Sequence, residues 1–382
     1  MSIQNNISLQ PYNTFGIKAI AKRFLSIESI PMLQKVIQTN KKPKEALFIL
    51  GGGSNILLKN DVTALVLKMN LKGKEILEQE ENYIWVKVKA GENWHKFVLW
   101  ALSQNYYGLE NLSLIPGTVG ASPIQNIGAY GVELKDVFES LEAVHLETGE
   151  IHSFSKEDCQ FGYRDSIFKN KVKGQFCIVS VTFKLSLLAT LRTDYGAIKT
   201  QLQSMEIEEK NWTPKAVSDA VISIRSSKLP NPAEIGNSGS FFKNPEIPTI
   251  QYEQLKKEFP YIVAYSLPNH QFKIPAGWLI EQCGWKGIII GNTGTYKHQA
   301  LVIVNHGNAT GEEISLYNQL EKGSVILMWY RGGWCPYCNL TLKAMQDMLP
   351  QFQAAGAQLL ALTPESPDKS ITTTEKNELE FQ

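Results

Sequence analysis

The chain has 382 residues, of which 43% are hydrophobic and 20% charged, with a formal net charge of +1. That balance describes a globular protein of two or three domains with a sizeable core. It gives no reason to expect a nucleic acid or a membrane surface as partner. The five cysteines are too few, and odd in number, for a disulfide framework. The polar start over residues 1–11 lacks a secretory signal, and no apolar stretch has the length of a membrane span, so a cytoplasmic protein is expected.

Residues 46–50 read as a short apolar strand that runs into Gly51-Gly-Gly-Ser-Asn55. Consecutive glycines after a strand can present a nest of backbone N–H groups to an anion such as a pyrophosphate; a tight turn is written the same way. The run is neither G-x-G-x-x-G nor a P-loop. Strands are expected over 64–69 and 83–90, the second alternating as a half-buried strand does. A helix is expected over 93–104, with Trp94, Phe97, Val98 and Ala101 on one stripe.

Residues 114–131 are unlike any ordinary helix or strand. Gly117, Gly120, Gly128 and Gly131 alternate with Pro116, Pro123 and the apolar Leu114, Ile115, Val119, Ile124, Ile127 and Tyr130. Glycine and proline disfavour element interiors, yet the stretch is too apolar for a solvated linker. It reads as buried backbone wrapped closely around something flat, the floor of a cofactor site. A hairpin over 141–146 and 151–154 follows, turning at Glu147-Thr-Gly-Glu150, then a strand over 176–185. The first half is therefore α+β.

The texture changes near Thr190. Helices are expected over 214–226, 249–259 and 275–283, with Gly239-Ser-Phe-Phe-Lys243 between the first two. It changes again at Gly323: a strand over 324–330, a turn through Cys335-Pro-Tyr-Cys338, a helix over 339–354 and a strand over 357–362. Cys159, Cys177 and Cys283 read as buried small hydrophobes.

Four features can carry chemistry. Arg164, in Phe161-Gly-Tyr-Arg-Asp-Ser166, is a permanent cation suited to developing negative charge, although a salt bridge with Asp165 is the plainer reading. Ser240, set between a glycine and two aromatics, should have its hydroxyl at an apolar wall, where it can give a proton to a carbanion. Arg225, Lys228 and Lys243 flank it and can hold phosphate oxygens. Cys335 and Cys338, between a strand and a helix, have the redox C-x-x-C context rather than that of a zinc site, which would want a second ligand pair. No metal is expected.

Taken in order, these segments resemble the UDP-N-acetylenolpyruvoylglucosamine reductase family over about residues 1–320. The matching pieces are Asn13-Thr-Phe15, Gly51 to Asn55, the stretch from Ile115 to Gly131, and Gly162-Tyr-Arg-Asp-Ser-Ile-Phe-Lys169. Thr193-Asp-Tyr-Gly196, Lys228-Leu-Pro230, Gly239-Ser-Phe-Phe-Lys-Asn-Pro245 and Pro275-Ala-Gly-Trp-Leu-Ile-Glu-Gln-Cys283 match too, as does the stretch from Leu301 to Gly311. The resemblance implies an FAD-binding fold of the p-cresol methylhydroxylase (VAO-like) type over 17–188 and an α/β substrate domain over 189–320. It implies FAD as cofactor, NADPH as hydride donor and UDP-N-acetylglucosamine enolpyruvate as substrate, in a monomer that makes a peptidoglycan precursor.

The same resemblance implies the site. Gly51, Gly52, Gly53, Ser54 and Asn55 would face the FAD pyrophosphate. Ile115, Pro116, Gly117, Thr118, Gly120, Ala121, Gln125, Asn126, Gly128, Ala129 and Gly131 would line the flavin. Ser240 matches the family's proton donor, and Arg164 the residue that steadies the substrate carboxylate. Tyr195 would close over the UDP end, with Tyr163, Arg225, Lys228, Asn244 and Gln282 as further substrate contacts.

The family's pattern then continues to a strand with a third catalytic residue, a glutamate, which this chain lacks. Residues 323–382 instead resemble the first half of a thioredoxin-like peroxiredoxin domain, carried by Trp334-Cys-Pro-Tyr-Cys338 and supported by Glu375-Lys-Asn-Glu-Leu379. One incomplete βαβ unit is expected there. Turnover is expected to be weakened by the missing glutamate. The alternatives are a protein that binds FAD and a UDP-sugar without turnover, or a thiol-disulfide or peroxide reductase acting through Cys335 and Cys338.

Overall fold

In the computed structural model, residues 2–40, 46–268, 270–311, 324–329 and 336–362 are described. Gln4–Ser8 (β1), Ile20–Ile27 (β2), Leu47–Leu50 (β3) and Val62–Met69 (β4) form a sheet of order β1-β2-β4-β3. β2 and β3 run parallel to β4, and β1 runs antiparallel to β2. Parallel neighbours need a crossover, and Ile30–Thr39 (α1) lies between β2 and β3 in the chain. Ser29 starts it by accepting the Met32 N–H, with a proline in the first turn.

A second, antiparallel sheet has the order β10-β9-β11-β6-β5. Its strands are Lys74–Gln79 (β5), Tyr83–Lys89 (β6), Phe138–His145 (β9), Ile151–Ser155 (β10) and Phe176–Ser186 (β11); the small hairpin of Gly128–Ala129 (β7) and Val132–Glu133 (β8) falls between β6 and β9 in the chain. β11 is covered on both faces. A bulge between Ile178 and Ser180 resets its alternation. Cys177 and Val179 therefore join a core with α1 and the first sheet, whereas Ile178, Val181, Phe183 and Leu185 join a core with Trp94–Ser103 (α2). In the latter, Phe97 and Phe183 stand 4.9 Å apart, ring centre to ring centre.

The chain divides into two compact units, Met1–Gly239 and Ser240–Gln382. Gly196–Ser204 (α3) and Pro214–Lys228 (α4) thus fold with the first unit, packing Ile198, Leu202, Val217 and Val221 together. Thr213 caps α4 by accepting the Ala216 N–H. Gly236–Ser240 (β12) carries the chain across the division.

In the second unit Glu246–Pro248 (β13), Tyr265–Leu267 (β14) and Gln271–Lys273 (β15) form a sheet with β15 central, and Tyr252 of Thr249–Glu258 (α5) stacks on Phe272 at 4.0 Å. Ala276–Gln282 (α6) is followed by a meander of Ile289–Ile290 (β16), Thr293–Tyr296 (β17) and Gln299–Asn305 (β18). Ser324–Trp329 (β19) then pairs in parallel with Ala357–Leu362 (β20), a helix over Pro336–Ala354 lying between them in sequence. This is the expected βαβ unit. The helix starts before the expected Asn339, since proline is tolerated in a first turn.

One cysteine expectation is overturned. Cys159 and Cys177 are buried, but Cys283 is exposed, one residue past α6. Burial pushes the Cys159 and Cys177 thiols up to about 12, so neither supplies thiolate near neutrality. Peptide mapping after brief N-ethylmaleimide treatment of folded protein should find Cys283 modified and Cys159 and Cys177 untouched. Equal labelling of the three would contradict the burial of Cys159 and Cys177.

Candidate active site

The glycine run after β3 meets the 114–131 stretch backbone to backbone. A Cβ on Gly52 would stand 2.8 Å from the Cα of Gly117, so no other residue fits there without moving a loop. The run is held from behind: Thr14 N–H donates to Gly53 O at 3.0 Å, and the Lys68 ammonium donates to Gly51 O. Burial, followed by the charge of Lys72, lowers the Lys68 pKa. Asn55 Nδ2 reaches Gln125 Oε1 at 3.5 Å, linking the two loops. Among the described residues, no backbone N–H from 51 to 55 donates to a protein group, while two of their carbonyls accept. Such a row of free donors is what an anionic group requires.

The 114–131 stretch is laid along β6 and α2. Gly120 N–H donates to Ala90 O, Val119 N–H to Glu92 O, and Trp94 N–H to Gly117 O. Its ends carry strain: Leu114, Asn126 and Tyr130 have φ of 57°, 42° and 49°. The left-handed region costs a residue with a Cβ about 1–2 kcal/mol, and such residues gather at functional sites.

Buried polar groups hold this shape. His95 Nδ1 accepts the Leu114 N–H at 3.0 Å, and Leu114 O accepts from Arg225 Nε at 3.3 Å. Arg225 also donates to the Tyr130 phenol, and burial lowers its pKa while raising that of Tyr130. Asn111 Nδ2 donates to Tyr130 O at 3.0 Å and to Arg192 O at 2.9 Å. Ser113 and Ser218 hydroxyls meet at 2.8 Å, both fully buried. Ser218 and Arg225, two turns apart on α4, thus grip one loop.

Arg164 sits in a turn closed by bonds between Gly162 and Asp165, with φ of 54°. Its Nη2 donates to Gly128 O at 2.7 Å, which aims the guanidinium at the 114–131 stretch rather than at Asp165. Asp165 instead accepts from Asn170 at 3.1 Å. The turn is stitched beneath the loop by Ser166 Oγ to Ile124 O and by Asn126 Nδ2 to Gly162 O. Electrostatic coupling links Arg164 with Arg225.

Two of the predicted site residues have internal partners, and the surroundings expected of a third need correction. The Asn126 side chain is buried and bonded to Gly162, Glu133 and the Lys135 N–H. Arg225 donates to Leu114 O and Tyr130. Ser240 is exposed, and Phe241 and Phe242 are 52% and 59% exposed, so they do not form an apolar wall around its hydroxyl.

The other predicted residues fall as follows. Tyr163 is part-buried beside Arg164. Tyr195, at the start of α3, is 52% exposed and stands edge-on to Tyr130 with ring centres 5.4 Å apart. Lys228, at the end of α4, and Lys243 are exposed. In the second unit Asn244 Oδ1 accepts the Ala276 N–H at 3.0 Å, and Gln282 ends α6 exposed. Cys335 and the segment expected to match Glu375 to Leu379 lie outside the described residues; Cys338 is on the last helix. Among the described residues no group of His, Cys, Asp or Glu is arranged to hold a metal ion, and no helix is long and apolar enough to cross a membrane.

The sequence alone does not single out His95, Glu110, Asn111 or Lys68. Glu110 and Asn111 do carry a signal, being polar residues inside an apolar run, and both are buried. Burial raises the Glu110 pKa, while N–H bonds, among them one from Gly108 at 2.8 Å, pull it back.

The site fits FAD. A loop that admits no Cβ at Gly52 and presents unpaired N–H groups suits a diphosphate, and the strained stretch beside it offers flat backbone to a ring.

Comparison with known proteins agrees. Residues 21–155 match the model of an FAD binding domain, and residues 231–322 that of the UDP-N-acetylenolpyruvoylglucosamine reductase C-terminal domain. Residues 298–382 match the AhpC/TSA family, beginning before the expected Gly323. UDP-N-acetylenolpyruvoylglucosamine reductase of Flavobacterium johnsoniae is 53% identical over 82% of this chain and 92% of its own length. That of Amoebophilus asiaticus is 50% identical over 85% and 95%. The crystal structure of UDP-N-acetylenolpyruvylglucosamine reductase (MurB) from Thermus caldophilus superposes with a TM-score of 0.54 at 22% identity, covering 81% of this chain and 91% of that one. On these relatives, the chain belongs to the UDP-N-acetylenolpyruvoylglucosamine reductase family, oxidoreductases that use FAD.

Proposed function

We propose that the chain reduces the enolpyruvyl double bond of UDP-N-acetylglucosamine enolpyruvate to give UDP-N-acetylmuramate, with NADPH as reductant, as a cytoplasmic monomer. The observation that carries this reading is the glycine cradle of 51–55 against Gly117, with the Arg164 guanidinium fixed at Gly128. Bound FAD would relay hydride from NADPH to the substrate carbon.

The chain's own residues then have distinct tasks. The 51–55 N–H groups hold the diphosphate, and the 115–131 backbone lines the ring. Arg164 supplies a cation for the substrate carboxylate and the enolate charge that grows there. Ser240 gives its hydroxyl proton to the carbanion. Tyr195 covers the UDP end, with Tyr163, Lys228, Asn244 and Gln282 as contacts. The domains would run 17–188, 189–320 and 323–382, and turnover would be lowered by the absence of the third catalytic acid.

Ser240→Ala tests the reading. The variant should purify yellow and accept hydride from NADPH at the wild-type rate. Substrate-driven flavin reoxidation, followed by stopped flow, should fall by about 10²–10⁴-fold. Reoxidation at the wild-type rate would remove Ser240 from the mechanism, and colourless protein that cannot be reconstituted would remove the flavin.

A further inference from the structure

We propose that His95 is a positioning residue, whose unprotonated Nδ1 holds Leu114 in its left-handed conformation and through Leu114 sets Arg225 and Tyr130 along the flavin-lining loop. The inference rests on the reading of 115–131 as that loop.

Leu114 is a branched residue at φ 57°, where nothing about its side chain favours staying. Both its backbone polar groups are taken by side chains from different helices: its N–H by His95 of α2, and its C=O by Arg225 of α4. Removing either bond frees the peptide to relax to an ordinary φ. Arg225 would then lose the acceptor that orients it toward Tyr130, and Tyr130 is the ring against which Tyr195 stands. One imidazole nitrogen therefore fixes a chain of four groups.

The acceptor works only while Nδ1 is bare, which places the proton of the neutral ring on Nε2. Three features keep it neutral. The ring is half-buried, the Arg225 charge acts on it from α4, and it lies in the first turn of α2, where the helix dipole opposes a cation. From the loop it meets the Leu114 N–H. Among the described residues no carboxylate is bonded to it. Protonation would remove the acceptor and set a second cation beside Arg225.

The experiment compares holoenzyme with His95→Asn, which keeps an acceptor oxygen near the Nδ1 position, and with His95→Leu, which has none. FAD affinity is measured by fluorescence titration from about pH 8 to about pH 5, together with the shape of the visible flavin band. His95→Leu should bind FAD about tenfold more weakly, the loss expected for one buried hydrogen bond, and show an altered band. His95→Asn should stay close to wild type at neutral pH. Wild type should lose affinity only toward the acid end of this range, below the ordinary imidazole value, because burial and the Arg225 charge lower the pKa of His95, and His95→Asn should not.

His95→Leu binding FAD like wild type would overturn the proposal. So would His95→Asn falling as far as His95→Leu, or the acid loss persisting in His95→Asn. Should His95→Leu fail to fold, the pH profiles of wild type and His95→Asn decide the matter alone. Absence of FAD binding in wild type would instead defeat the flavin reading on which the proposal stands.

Discussion

Gly53→Ala is expected to lose FAD and to melt well below the wild-type protein. Gly53 has φ of 64°, and an added Cβ would stand 1.9 Å from Tyr12 O and 2.9 Å from the Asn13 Cα. Both obstacles are backbone, so no side chain can swing away. The left-handed conformation costs an alanine about 1–2 kcal/mol, and overpacking a fitted site adds about 1–3 kcal/mol. For a unit of this size each kcal/mol lowers Tm by roughly 2–4 °C, so a drop of about 4–20 °C is expected in differential scanning calorimetry. The damage is also local: relief of the clash requires residues 12–14 to move, and Thr14 is what holds Gly53 O in place. A Gly53→Ala protein that stays yellow and melts within a degree of wild type would refute the close approach of these two loops.

Arg164→Met should leave the fold and the flavin intact and remove turnover. The side chain is nearly isosteric in length but carries no charge, so it isolates what the cation does. Loss of one positioned transition-state donor commonly costs about 10²–10³-fold in kcat. That loss should appear in substrate-driven reoxidation and spare flavin reduction by NADPH. Arg164 also donates to Gly128 O, so a small shift in the flavin band is expected as well. If reduction by NADPH and reoxidation by substrate fall together, the guanidinium serves the loop rather than the reaction.

Strands and helices with regular patterns are legible in the sequence alone. The helix expected over 93–104 is Trp94–Ser103, the expected hairpin is β9 and β10, and the expected 357–362 strand is β20. Each has an apolar period and a cap or turn at its ends. β2 is not legible in this way, because it buries Ala21, Phe24, Leu25 and Ile27 and leaves no clean alternation, and β1 buries no residue that could mark a period. The limit of the first unit at Gly239 is hidden too, since a change in texture near Thr190 marks only where sheet gives way to helix. α3 and α4 return to the first unit through Ser218 and Arg225, a contact that no local pattern announces.

The site divides the same way. The glycine loops stand out because their residue types are unusual where they occur, whereas Arg164 alone reads as one half of a salt bridge and Tyr195 is reached only through the family resemblance. The supporting groups do not stand out, because a histidine, an asparagine or a serine acquires meaning only from what it faces. His95 sits on the helix next to the Trp94 stripe and would pass for a surface residue. Only the fold shows that it faces Leu114. Asn126 lies in the glycine-dense stretch, and only the fold shows that its side chain braces Gly162 and Lys135.

Thr14 has a consequence for how the protein is made. Its N–H and hydroxyl tie Gly53 O to the strand at the far end of the first unit, for Thr14 Oγ1 donates to Asn237 O at 2.7 Å across 223 positions of chain. The cradle is therefore not complete when its own residues leave the ribosome. It waits for α4 and β12 to be synthesised and to fold back. Cofactor capture is thus a late event of biogenesis, and ribosome-bound fragments ending before Asn237 should emerge without flavin.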